Sequence, residues 1–432
     1  MVELADIFRL HGAPYRARYG DRMLPSHLRA MEDIERCRTA ALGGRVFACP
    51  NCADVLQYSY HSCGNRACPK CGNDDTSGWL DPQRQFLLPV DYFLVTYTLP
   101  DECRAVARAN QRSVYGAFFR ASAQTFIDLA AQPRHLHGLC GLMGVLQTWR
   151  RDLAYHPHIH YLVPGGALAD DHCAWRPHRY DDWLLPERAL AAGFKLRFQR
   201  ELQGLGLLDQ VDPAVWTCDK KWVVDAMPAG TGETVLKYLA PYVHRVAISN
   251  QRILACRDGK VTFRFKARDH GQWRHMTLPV DRFIARFLQH VLPRGFVKVR
   301  YYGFLAAKVR NHLLPVIRQL LPQPPHAAPA TPAPQAGPPP PLQPLHDRSP
   351  DLAVEPASDH GSCRQLNRTI RGGPDAGDAS VAPPSPLHPH HTDDVQRPTD
   401  DRSWHRCPSC GRPLVLLGTL PRLHARPRDP PS

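Results

Sequence analysis

Two C-x2-C knuckles, Cys49-Pro-Asn-Cys52 and Cys68-Pro-Lys-Cys71, lie close together in a segment that is poor in apolar residues and interrupted by Pro50, Gly64 and Pro69. Five of the chain's 14 cysteines fall between Cys49 and Cys71. The charged amino end has no signal-peptide pattern, so this clustering reads as metal binding in a reducing compartment, not as a disulfide scaffold. The spacing predicts four thiolates around one structural Zn2+ at about 2.3 Å, a soft ligand set that magnesium and calcium do not favour. Cys37, His61 and Cys63 are left over, as packing groups, alternate ligands or a second site. Cys407-Pro-Ser-Cys410 is half a knuckle. Its partners could be His405 and His424 or another subunit, and an unmetallated tail is an equal reading.

Composition sets the setting. Lysine plus arginine (54) exceeds aspartate plus glutamate (40), giving a net charge of +14. That balance points to a nucleic-acid partner, against the plainer reading of a solvated basic surface. Hydrophobic content of 43% supports a true core. No apolar run approaches the roughly 20 residues that cross a bilayer, so the expectation is a soluble cytoplasmic protein with no membrane partner. The 43 prolines concentrate late, with four in a row at Pro338–Pro341. Four regions follow: helices and a zinc-binding module over 1–86, a compact domain over 87–321, a disordered Pro-rich linker over 322–400, and a short tail over 401–432.

Within the second region the period of apolar residues alternates between strand and helix. Asp91–Leu99 is aromatic and β-branched, a buried strand ended by Pro100; helical spacing follows over Asp101–Ala131. Strands are predicted at Gly144–Trp149 and His158–Val163, joined by the polar Arg150–Asp152 turn. A helix over Pro186–Leu205, a strand at Lys221–Asp225, a helix over Glu233–Val243, a Val261–Lys266/His275–Leu278 hairpin and a helix over Asp281–Leu292 complete an α+β domain.

Two constellations carry chemistry. In His156-Pro-His158-Ile-His160, period-2 alternation puts His158 and His160 on one face with Ile159 in the core. Two imidazoles so placed can hold a divalent cation and leave positions open for substrate. With 23 histidines in the chain, a chance pair on a solvated edge is the plain alternative. Tyr238 and Tyr242 are four residues apart and share a helix face. A phenol near pKa 10 needs local positive charge to attack, which Lys237, His244 and Arg245 could supply, while core packing is the commoner role for such a pair. Pro241 between them removes a backbone donor and predicts a kink.

These motifs occur together with Cys37-Arg38-Thr39, Gly43-Gly44, Ser62-Cys63-Gly64-Asn65-Arg66, Leu88-Pro89-Val90, Gln147-Thr148-Trp149, Pro164-Gly165-Gly166 and Arg300-Tyr301-Tyr302-Gly303. In this combination the chain resembles the IS91 family of transposases, of the two-tyrosine HUH class (U being a hydrophobic residue), from Asp6 to about Arg310. The resemblance implies an HUH-type antiparallel sheet flanked by helices. It also implies that His158, His160 and a third polar ligand (Gln147, Asp152 or His156) hold Mg2+ or Mn2+ at a phosphate of single-stranded DNA. Tyr238 and Tyr242 would attack, leaving a 5′-phosphotyrosine and a free 3′-hydroxyl, as rolling-circle transposition of an insertion sequence requires. A replication initiator or relaxase shares this chemistry, and the zinc module ahead of the catalytic region favours the transposase. A non-catalytic zinc-ribbon DNA-binding protein is the reading from another class, and would need neither the histidine pair nor the tyrosines.

Overall fold

The computed structural model describes residues 2–52, 55–71, 76–180, 183–237, 247–267, 272–322 and 406–423. These form two compact units. The larger takes the described residues of 1–43 and 60–322 with 422–423, and the smaller takes those of 44–59 and 406–421. The Pro-rich segment expected from 322 lies, from 323 to 405, outside the described residues.

Elements run in the order α1 (Leu4–Tyr19), α2 (Pro25–Arg36), β1 (Gly44–Ala48), β2 (Leu56–Tyr60), α3 (Thr76–Arg84), β3 (Asp91–Thr98), α4 (Arg104–Ala109) and α5 (Gln111–Ala130). Then come β4 (Gly141–Trp149), β5 (Tyr155–Pro164), β6 (Gly166–Leu168), β7 (Trp175–Pro177), α6 (Glu187–Gly204) and β8 (Val224–Thr231). A helical stretch over 232–237 is α7. β9 (Ile253–Arg257), β10 (Lys260–Lys266), β11 (Trp273–Pro279), α8 (Val280–Leu288), β12 (Val299–Gly303), α9 (Arg310–Leu320) and β13 (Val415–Leu420) complete the chain.

At the amino end, a capping box between Glu3 and Asp6 starts α1, and Pro25 at the first turn starts α2. Their apolar stripes (Leu4, Ile7 and Phe8; Ala30, Met31 and Ile34) bury against Phe283, Ile284 and Phe287 of α8 and against Val261 and Phe263 of β10. The centre of the larger unit is a five-stranded sheet in the order β12-β4-β5-β3-β8, antiparallel at each pairing. The expected α+β class with antiparallel sheets is therefore observed.

Alternation along β3 and β5 gives the sheet two unlike faces. Phe93, Val95, Tyr97, Ile159 and Tyr161 bury against Phe118 and Phe119 of α5 and Phe194 and Phe198 of α6. The Tyr161 hydroxyl pairs with Ser122 Oγ at 2.7 Å, which satisfies a polar tip inside that core. The opposite face carries Tyr92, Leu94, Met143 and Leu162, covered by Val235 and Leu236 of α7 and by Leu313, Leu314 and Ile317 of α9.

The structure differs from expectation at several ends. The single helix over Asp101–Ala131 is two, α4 and α5, broken at Asn110. β8 begins at Val224 and runs to Thr231, because Trp222 turns into the core under α6. β12 was marked only by its Arg-Tyr-Tyr-Gly motif, and it is the edge partner of β4. Gly303 ends that strand at φ +58°, where a Cβ would stand 1.7 Å from the Cys140 carbonyl oxygen, so no side chain fits.

Candidate active site and metal centres

β5 is the middle strand of the sheet, and its register fixes what faces its histidines. His158 stands opposite Gln147 on β4 and Thr98 on β3. His160 stands opposite Val145 and Thr96. The two rings are together on one face as the alternation predicts, with centroids 4.8 Å apart and planes nearly perpendicular.

Hydrogen bonding settles how each ring presents itself. His158 Nδ1 lies 2.7 Å from the His156 carbonyl oxygen. A carbonyl only accepts, so Nδ1 donates there; the Gln147 amide oxygen facing Nε2 also only accepts, so that contact requires a proton or a cation between the two atoms. Nε2 is 3.0 Å from Gln147 Oε1, with both residues buried. His160 Nδ1 pairs with Thr96 Oγ1 at 2.9 Å, which orients the second ring. Burial, reinforced by the neighbouring His158 and His156 rings, holds His160 well below the usual imidazole value, so it is neutral at pH 7.

The three candidates for a third ligand are not equivalent. Arg104 Nη2 donates to His156 Nδ1 at 2.7 Å and is itself held by Asp101 at 2.5 Å. That places the neutral ring's proton on Nε2 and leaves His156 no lone pair for a cation. Asp152 Oδ1 accepts the Ala154 amide at 3.0 Å and closes the turn between β4 and β5. Gln147 remains, aimed at His158. Among the described residues, no Asp, Glu, Cys or further His converges with His158 and His160 into a three-ligand cluster.

Thr96, Arg104 and Asp225 were not singled out from the sequence. Asp225 pairs in register with Thr96, so it shares the histidine face. Strand alternation could have found it, because it closes the strand expected at Lys221–Asp225; nothing in the sequence marked Arg104. The helix expected over Glu233–Val243 begins at 232, where the Thr231 hydroxyl accepts the Thr234 amide at 3.4 Å. Val235 and Leu236 bury against Leu94 and Leu162, so α7 starts on the same face of the sheet as the histidines. Tyr238 and Tyr242 lie outside the described residues.

The cysteines correct the expected grouping. Cys49, Cys52, Cys68 and Cys71 do not form one centre; they divide between two four-thiol clusters. In the larger unit, Cys68 and Cys71 meet Cys37 and Cys63. The Sγ of Cys71 is 3.5 Å from that of Cys37 and 3.6 Å from that of Cys63. In the smaller unit, Cys49 and Cys52 meet Cys407 and Cys410, with Cys49 and Cys410 Sγ 3.5 Å apart. A tetrahedron with Zn–S near 2.3 Å has edges of about 3.8 Å, so both clusters have the dimensions of a closed structural zinc site.

The division follows from tertiary contacts. Cys37 ends α2 beside the Cys63–Cys71 loop, and Arg38 follows in the left-handed region at φ 54°, its amide donating to the His61 carbonyl at 3.1 Å. Asn65 fixes that loop, its Nδ2 donating to Asp33 of α2 at 3.0 Å and its Oδ1 accepting the Ala67 amide at 2.9 Å. The neighbouring Cys63 and Cys68 thiols draw the Cys37 thiol below its ordinary value. The signal for this set was the Cys63-x4-Cys68 spacing with a cysteine at a helix end.

With this geometry in hand, comparison with known proteins is decisive. A family model described as "Transposase zinc-binding domain" matches residues 7–99, and one described as "Putative transposase" matches residues 141–312. A curated relative from Sinorhizobium fredii, "Putative transposase y4qJ", is 41% identical over 337 residues, covering 74% of this chain and 84% of its own. The chain belongs to the IS91 family of transposases. A second member, the "Transposase for insertion sequence element IS801" of Pseudomonas savastanoi pv. phaseolicola, is 30% identical over 303 residues, covering 66% of this chain and 72% of its own. No solved structure matches the chain. In this transposase the Cys37/Cys63/Cys68/Cys71 cluster lies wholly within the zinc-binding match. His158, His160 and Gln147 all lie within the second match. Cys407 and Cys410 fall outside both. No helix among the described residues is long and apolar enough to span a membrane.

Proposed function

We propose that this transposase nicks and rejoins single-stranded DNA at element ends through a 5′-phosphotyrosine intermediate, with an HUH-type catalytic region over 87–321 behind a zinc-binding region over 1–86. The observation that carries the reading is the pairing of His158 and His160 on one face of the central strand with Gln147 Oε1 3.0 Å from His158 Nε2. Two imidazole nitrogens and an amide oxygen on one face are a donor set that a divalent cation such as Mg2+ or Mn2+ could take. His158, His160 and Gln147 would hold the ion, and the ion, when bound, neutralises charge on the non-bridging oxygens of the scissile phosphate.

The chain's own residues do the rest. The His156 carbonyl takes a proton from His158 Nδ1 in a hydrogen bond, and the Thr96 hydroxyl orients the His160 ring beside it. The phenol of Tyr238 or Tyr242 gives up its proton as its oxygen bonds to phosphorus, the bond from phosphorus to the 3′-oxygen breaks, and that oxygen takes up a proton to leave as the 3′-hydroxyl, so no proton is gained or lost overall. The diester energy stays in the phosphotyrosine, so a 3′-hydroxyl can reverse the step without ATP. A second tyrosine lets another strand be cut while the first is still held.

The chain's net charge of +14 favours a polyanion. Family membership favours transposition over replication initiation, and cytoplasmic action on DNA accords with it. Incubation of the protein with single-stranded element ends and Mn2+ tests the reading. The expected product is a covalent protein–DNA adduct that resists denaturation and carries a free 3′-hydroxyl. Nicking without an adduct would overturn it.

A further inference from the structure

We propose that Cys49, Cys52, Cys407 and Cys410 bind a second zinc ion, closing a clasp between chain segments up to 361 positions apart and making the far carboxyl end part of the amino-terminal ribbon. The inference does not rest on the phosphotyrosine chemistry, and its test reads metal content and fragment association instead of cleavage.

All four ligand sulfurs lie within 4.8 Å of one another. Cys49 and Cys407 are buried, and all four are free thiols. Each pair sits on a backbone-bonded turn. On one side, the Cys49 amide donates to the Val55 carbonyl at 3.2 Å, the Val55 amide to Cys52 at 3.0 Å, and the Cys52 amide to Cys49 Sγ at 3.4 Å. On the other, the Cys407 amide donates to Arg412 at 2.8 Å and the Gly411 amide to Cys407 at 2.9 Å, with Gly411 at φ +71°. An amide aimed at a sulfur stabilises thiolate, and four thiolates with no oxygen ligand select a soft, tetrahedral ion.

The surrounding fold explains why an ion is needed there. β13 pairs with β1 from Gly44↔Leu420 to Ala48↔Val415, and β2 lies on the other side of β1. The apolar cluster under these three strands consists of Phe47, Leu414 and Val55 with three of the cysteines themselves. On β13, Val415, Leu416 and Leu417 are exposed. So small a core does not hold two distant segments together, and metal binding is what supplies the closure. Removing the last cysteines would leave Cys49 and Cys52 as half a site.

The test uses the full chain with a protease recognition sequence inserted after Ser358. Elemental analysis should find two zinc ions per chain, and one in the Cys407→Ser/Cys410→Ser double variant. After cutting, the carboxyl-terminal fragment should co-elute with the amino-terminal fragment until a strong chelator is added. In the Cys407→Ser/Cys410→Ser protein it should separate at once. Cys63→Ser/Cys71→Ser should also fall to one zinc, yet keep its fragments joined. Two zinc ions retained after loss of Cys407 and Cys410, one zinc in the unaltered chain, or fragments that part with zinc still bound would overturn the clasp. Equal release from both double variants would do the same.

Discussion

The Nε2 of His158 lies 3.0 Å from the Oε1 of Gln147 across the β4–β5 register, with both side chains buried. Two acceptors at that distance repel unless a proton or a cation stands with them. Gln147→Ala should therefore raise the Mn2+ concentration needed for half-maximal nicking by at least about 10–100-fold, the range over which metal-site support residues act. Gln147→Glu, which keeps an oxygen in place, should retain most of the activity. Unchanged metal dependence in the alanine variant would assign the third ligand elsewhere.

His158→Ala and His160→Ala should each abolish adduct formation while shifting the affinity for single-stranded DNA by less than about threefold, because phosphate contacts from lysine and arginine dominate binding. Parallel gel-shift and adduct assays separate the two effects. If binding and adduct formation fall together, the histidines support the fold and not the chemistry.

Much of this centre was legible in the sequence, for physical reasons. Period-2 alternation places His158 and His160 on one face whatever the rest of the fold does, and burial of Ile159 then fixes which face. Register between strands is another matter. Nothing in the spacing says that Gln147 stands opposite His158, or that Asp225 reaches the same face through Thr96. The cysteines show the same limit. Each C-x2-C knuckle is local and readable, but which knuckles meet is decided by tertiary contacts, here α2 with the Cys63–Cys71 loop and β1 with β13.

Gly303 tests that register from a distance. Gly303→Ala places a Cβ against the Cys140 carbonyl and forces a left-handed φ on alanine. The expected cost is about 2–4 kcal/mol, or a Tm lower by roughly 5–15 °C for a unit of this size. Differential scanning calorimetry measures it. A Tm within a degree or two of the parent would mean that β12 does not end against β4 as described.

Zinc at the first cluster should be structural. Cys68→Ser removes one of four thiolates and leaves Cys37, Cys63 and Cys71 crowded without an ion. One zinc should be lost, and the α1–α2 region should become susceptible to proteolysis, since its stripe packs beside the same loop. The sheet bearing His158 should persist, visible as protected amides in hydrogen exchange. Full zinc retention in Cys68→Ser would remove the site.

The nucleophiles give the sharpest prediction. Tyr238→Phe should eliminate at least one covalent adduct, because phenylalanine keeps the ring and deletes only the attacking oxygen. Tyr242 follows Pro241, whose ring cannot accept a straight helix through Lys237, so the two phenols are expected to differ in role. Tyr242→Phe should impair strand transfer more than first cleavage. Mass spectrometry of the trapped peptide from the parent and each single variant assigns the linked residue directly. If the double variant still yields a 5′-phosphotyrosine, the attacking residue is another tyrosine, and the histidine pair must then be matched to a phenol on some other element.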